Sequence, residues 1–145
     1  MQKTYVLDTN VLIQAPYALE SFEDNRIVLP LAVLEELDGL KGSEGEKGAN
    51  ARQAIRYLET LRSRGNLVEG VELPSGGTLR LEMNCVDVRL PQGFPEYKND
   101  NRLLQVCEGL AQRDEKVVLV TKDILVRIKA QMLGIEAEDF TTEQS

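Results

Sequence analysis

A chain of 145 residues with 42% hydrophobic residues, a net charge of −7 and no histidine is long enough to bury one core, and it needs no metal or disulfide staple to fold. The missing imidazole excludes Ser-His-Asp triads and the common catalytic zinc sites, so carboxylates must carry any chemistry. The acidic balance also argues against capture of nucleic acid by blanket charge attraction, because phosphate affinity comes mostly from Lys and Arg.

No apolar run approaches the roughly 18 residues of a membrane span, and the N-terminus lacks the basic-then-apolar pattern of a signal peptide. The expectation is a cytoplasmic protein with no membrane partner. Cys85 and Cys107 form no CxxC pair and sit in apolar surroundings, which suits reduced structural thiols better than a disulfide or a zinc site.

In chain order, Tyr5, Val6 and Leu7 read as a buried parallel strand, and Asp8-Thr9-Asn10 interrupts the apolar run before Val11, Leu12 and Ile13. A carboxylate there lies outside the carboxyl end of a strand, where open α/β sheets place their ligands. Capping of a following helix by Asp8 or Thr9 is the plain alternative. Pro16 and the polar residues 21 to 26 suggest a short helix and a turn, and residues 27 to 30 a second buried strand. A helix over residues 31 to 41 places Val33, Leu37 and Leu40 on one apolar stripe. Glu36 then falls at the margin of that stripe, and Glu35 on the opposite, solvated face.

Gly39, Gly42, Gly45 and Gly48 mark residues 39 to 48 as a mobile loop without phosphate-loop spacing. Asn50 is expected to cap a helix over residues 51 to 64, whose apolar positions are Ala54, Ile55, Leu58 and Leu61. Arg52 and Arg56 are i,i+4 neighbours on it. With Lys41 and Lys47 they form the best phosphate-contacting patch, an ordinary solvated helix face being the competing reading. Residues 71 to 83 alternate about Pro74-Ser75-Gly76-Gly77 as a β-hairpin, read as an excursion from the α/β body, with Val86 and Val88 as a further strand.

A helix to about Arg113 follows, with Leu103, Leu104, Cys107, Leu110 and Ala111 as its stripe and Asp100 on the stripe's centre line. Asn99 serves equally well as a cap, so capping leaves the inward direction of Asp100 unexplained. Residues 116 to 120 are a third buried strand, ending in Thr121-Lys122-Asp123 and a helix to about Leu133. Asp123 at that helix N-terminus also suits the dipole. A short strand over residues 134 to 137 closes a domain of residues 1 to 137, leaving residues 138 to 145 as a polar tail or linker.

Strands alternating with helices predict a three-layer α/β/α fold with a central parallel sheet and right-handed crossovers. In it, Asp8, Glu36, Asp100 and Asp123 can meet in one crevice. Four ionised carboxylates in a small site repel one another, and a hard divalent cation resolves the conflict.

The residues Val6 to Ile13, Leu31 to Asp38, Asn99 to Leu104 and Val118 to Asp123 together resemble the motifs of PIN domains, metal-dependent ribonucleases, in an order that spans nearly the whole chain. The resemblance implies that Asp8, Glu36, Asp100 and Asp123 bind Mg²⁺ or Mn²⁺ and carry catalysis, with Thr9, Asn10 and Thr121 as polar support. It implies an endoribonuclease that hydrolyses phosphodiester bonds of single-stranded RNA with metal-activated water. The Glu35-to-Lys41 segment and the Glu138-Asp139-Phe140 ending look most like the PIN domain that precedes a PhoH-like ATPase, which would be a partner domain; a homo-oligomer is compatible with this reading. Two alternatives stand beside it. One is a catalytically weak RNA- or protein-binding module on the same fold. The other is a haloacid-dehalogenase-type phosphatase, which Asp8-Thr9-Asn10 resembles except that Asn10 stands where that family has a second Asp.

Overall fold

A computed structural model describes residues 2–141. Its strands are β1 (Thr4–Leu7), β2 (Arg26–Pro30), β3 (Val71–Glu72), β4 (Thr78–Glu82), β5 (Val117–Val120) and β6 (Glu136–Glu138), in the sheet order β3-β4-β2-β1-β5-β6. Among the described residues only the β3–β4 pairing is antiparallel. The helices are α1 (Thr9–Gln14), α2 (Leu31–Leu40), α3 (Gly45–Arg62), α4 (Asn99–Gln112) and α5 (Ile124–Met132). This is the α/β architecture the alternation predicts.

β1 lies at the centre, and all four of its residues are buried. Burial on both faces explains why the centres of β1, β2 and β5 read as continuous apolar runs rather than alternating ones. The strand stops at Leu7, and Val11-Leu12-Ile13, the second half of the apolar stretch, is helical. Asp8 causes the switch: its backbone is extended and its side chain accepts from Thr9 N at 2.7 Å, capping α1.

Four expectations are corrected. The hairpin forms, with Val71 opposite Leu79, but it is no excursion, because β4 pairs in parallel with β2 over its whole length and extends the main sheet. Leu79 is completely buried there. Val86 and Val88 form no strand; Val88 packs into the core at 8% exposure while Val86 faces outward. Residues 39 to 48 are not a long loop, since α2 runs to Leu40 and α3 begins at Gly45. A Cβ at Gly48 would stand 1.8 Å from Ser43 O, so glycine is needed there for a close approach of backbone inside a helix. Asn50 consequently lies within α3, and instead of capping it donates to Ile13 O at 2.6 Å, satisfying a carbonyl near the end of α1.

Packing continues past the expected boundary at residue 137. Glu138 lies in β6, and Phe140 is 4% exposed with its ring 6.0 Å from Phe22. The rest of the predicted tail, residues 142 to 145, lies outside the described residues. Both cysteines are free and buried, as the spacing predicts, and burial pushes both thiols above their ordinary pKa. Among the described residues no helix is long and apolar enough to cross a membrane.

Candidate metal centre

Register builds the site. Leu7 pairs with Val120, so the next residues of the two strands, Asp8 and Thr121, emerge side by side at the carboxyl ends of β1 and β5. Thr121 Oγ1 donates to Asp8 Oδ2 at 2.7 Å, and Asn10 Nδ2 reaches the same oxygen and Thr121 Oγ1 at 3.3 Å each. Asn10 Oδ1 in turn accepts from Lys122 N at 2.9 Å, tying α1 to the turn after β5. Thr121 Oγ1 also accepts from Asp123 N at 3.1 Å. Asp123 caps α5 by accepting from Leu125 N at 2.9 Å through Oδ1, which leaves its second oxygen for another partner. Capping and a role in the site are therefore compatible for both Asp8 and Asp123.

Glu36 comes from α2, which β2 delivers beside β1. Val33 and Leu37 are buried, Glu36 is half-buried and Glu35 is exposed, the order that the helix phase predicts. Thr9 Oγ1 donates to Glu36 Oε1 at 2.7 Å and fixes that carboxylate against α1. Asp100 sits in the first turn of α4, half-buried. Asn99 does not cap α4; Lys98 occupies that position without a side-chain hydrogen bond.

The four carboxylates of Asp8, Glu36, Asp100 and Asp123, together with Thr9, Asn10 and Lys47, line one cavity of about 250 Å³. Asp8 is its most buried acid, at 9% exposure. Burial raises the pKa of Asp8 above the ordinary aspartate value, hydrogen bonds from Thr121 and Thr9 N oppose this, and the charges of Glu36 and Asp123 add to the rise. A cation would relieve both causes of the shift.

The donor set suits a hard divalent ion: the side-chain oxygens lining the cavity come from carboxylates, the Thr9 hydroxyl and the Asn10 carboxamide, and imidazole and thiolate are absent from it. Among the described residues no three acidic, His or Cys side chains stand close enough together to hold a metal ion by themselves. An ion such as Mg²⁺ needs fewer protein ligands, being held by one or two carboxylates with several waters or phosphate oxygens.

The basic residues divide. Lys47 lines the cavity. Arg52 does not stand free, since its Nη1 donates to Lys41 O at 2.6 Å and Ser43 O at 3.4 Å and braces the α2–α3 connection. Lys41 pairs with Asp38 at 2.6 Å on the surface, and Arg56 is exposed on α3. One residue at the centre escaped sequence reasoning. Lys129 Nζ donates to Asp100 Oδ2 at 3.0 Å; its only signal in the sequence is helical spacing, three residues after the inward Val126.

The family model of the PIN domain matches residues 5–141. The chain is 46% identical over 151 residues to Protein PhoH2 of Bacillus subtilis (strain 168), covering 99% of this chain and 34% of that protein. It is 41% identical to Protein PhoH2 of Thermobispora bispora, covering 95% and 32%. The chain thus spans about a third of the length of these curated relatives. A solved domain of a functionally unknown protein from Methanocaldococcus jannaschii DSM 2661 shares the fold, with a TM-score of 0.60, 20% identity and coverage of 96% of this chain and 91% of that one. The matched span contains all four acidic positions of the cavity, and the chain belongs to the PIN domain family.

Proposed function

We propose that this domain hydrolyses phosphodiester bonds of single-stranded RNA, as an endoribonuclease dependent on Mg²⁺ or Mn²⁺. The observation that carries the reading is the convergence of Asp8, Glu36, Asp100 and Asp123 on one cavity in a chain without histidine. These four carboxylates would hold the ion, Asp8 from the deepest position. When bound, a divalent ion supplies an activated water and neutralises phosphate charge. Thr9, Asn10 and Thr121 orient the acids, each through a hydrogen bond to a carboxylate oxygen. Lys47 supplies the cavity with a cation of the chain's own for a phosphate, with Lys41, Arg52 and Arg56 beyond it as weaker contacts. No side chain need act as nucleophile.

The family membership sets the dehalogenase-type phosphatase aside, and the carboxamide of Asn10 is already committed to Asp8, Thr121 and Lys122 N. The non-catalytic binding module is supported by the Lys129–Asp100 ion pair, which engages one of the four acids without a metal. The similarity to PhoH2 proteins about three times as long supports a second part in the working protein, which we read as a PhoH-like ATPase acting on the same RNA. A cytoplasmic setting suits two buried thiols that stay reduced.

The test is cleavage of a labelled single-stranded RNA by the 145-residue chain. Hydrolysis with Mg²⁺ or Mn²⁺, none with excess chelator, and loss on Asp8→Asn are expected. Metal-tight RNA binding without cleavage would favour the binding module, and cleavage unaffected by chelator would overturn the metal reading.

A further inference from the structure

Outside the acidic centre, the segment before α4 and the first turns of α4 enclose a second cavity of about 370 Å³, lined by Asn84, Val86, Glu96, Tyr97, Arg102 and Gln105. That volume lies within the roughly 300–1,000 Å³ typical of small-molecule sites. Two of its walls contribute nothing to the core: Tyr97 is 74% and Val86 79% exposed. The Tyr97 ring meets no other aromatic ring among the described residues. The remaining walls are polar and incompletely paired. Asn84 Oδ1 is buried without a hydrogen-bond partner among the described residues, a condition that native proteins rarely leave unexplained. Arg102 donates through Nε to Glu96 O at 3.2 Å, and its Nη groups make no hydrogen bond to the described residues. The segment itself is anchored, because Gln105 donates to Val88 O at 2.6 Å and Asn101 to Pro95 O at 2.8 Å.

An exposed ring, an aliphatic wall, a guanidinium and a carboxamide are the groups that recognise a planar heterocycle with a hydrogen-bonding edge. Position supplies the rest of the argument. Tyr97 precedes Asp100 by three residues, so at the reach of an extended chain their Cα atoms are at most about 11 Å apart. The two cavities thus belong to neighbouring stretches of the chain while sharing no lining residue. A chain of net charge −7 gains little affinity from phosphate contacts alone, whereas stacking does not depend on net charge.

We propose that this second cavity is a nucleobase subsite: it takes one unpaired base of the RNA strand held at the acidic centre, with Tyr97 as the stacking platform and Arg102 meeting the base edge. The inference rests on the RNA reading given above.

The test uses the 145-residue chain and short single-stranded RNA in the presence of Ca²⁺. The sequence contains no tryptophan, so Tyr97→Trp supplies a single reporter whose fluorescence RNA should quench. Tyr97→Ala is expected to weaken binding roughly tenfold and Tyr97→Phe to retain it, with the difference from wild type vanishing on an abasic strand of the same length. Since the side chain is largely exposed, the melting curves of all three variants should coincide with that of wild type. Equal affinity of wild type and Tyr97→Ala for ordinary RNA overturns the subsite and leaves the nuclease reading intact. RNA that binds the Tyr97→Trp variant without quenching its indole fluorescence runs outside this cavity and likewise overturns the subsite. Failure of wild type to bind any RNA with the divalent cation overturns both.

Discussion

Lys129 Nζ lies 3.0 Å from Asp100 Oδ2 and 5.9 Å from the centre of the Phe94 ring. One ammonium group is thus held between an aromatic face and an acid of the candidate metal centre, and it supplies part of the positive charge that four carboxylates require. If a divalent ion takes over that role, the two cations compete for Asp100. Lys129→Met should therefore raise Mn²⁺ affinity severalfold in calorimetry, and lower stability in chelator by the ~0–1 kcal/mol of a partly exposed pair. A fall in Mn²⁺ affinity would mean that Lys129 supports the site instead of competing for it.

Glu35 and Glu36 separate by helix phase. Glu36→Gln can still accept the Thr9 hydroxyl but loses the charge, so Mn²⁺ affinity and RNA cleavage should each fall about tenfold or more, as expected for the loss of more than about 1.4 kcal/mol. Glu35→Gln, on the solvated face, should change stability by no more than about 0.5 kcal/mol and leave cleavage near wild type. The reverse pattern in the same assays would place the site elsewhere.

The pH dependence of the metal-free protein follows from Asp8. Its folded pKa is raised, first by burial and then by Glu36 and Asp123, so folding favours its protonated form. The stability this contributes is fully present below the ordinary value of 3.8 and is lost as pH rises through the raised value. In chelator, Asp8→Asn should therefore melt higher than wild type at neutral pH. The advantage should shrink as pH falls towards 4, and added Mn²⁺ should stabilise only the wild type. A neutral-pH melting temperature below wild type would show that the Thr121 and Thr9 hydrogen bonds to the carboxylate outweigh its burial.

Arg52 and Arg56, paired by sequence spacing, should respond differently. Arg52→Ala removes donors from the Lys41 and Ser43 carbonyls and should cost about 1 kcal/mol of stability in denaturant titration. Arg56→Ala should leave stability unchanged and, if its guanidinium meets phosphate, reduce the salt slope of RNA binding by about 0.7. An unchanged slope would return Arg56 to the solvated face.

Much of this protein is legible in the chain alone. Continuous apolar runs at residues 5 to 7, 27 to 29 and 117 to 120 are what double-sided burial requires, and helical periodicity by itself sets Glu36 at the margin of the buried stripe and Glu35 outward. These are local facts, because side-chain direction follows from strand and helix period over a few residues. Tertiary structure decided what depends on distant pairings: that β4 extends the main sheet beside β2, that Asn50 serves the end of α1 from within α3, that Arg52 is spent on the carbonyls of the preceding turn, and that Lys129 meets Asp100. A hydrogen bond between residues 29 or 37 positions apart leaves no periodic trace in sequence. It exists only once strand order and register bring the two elements together.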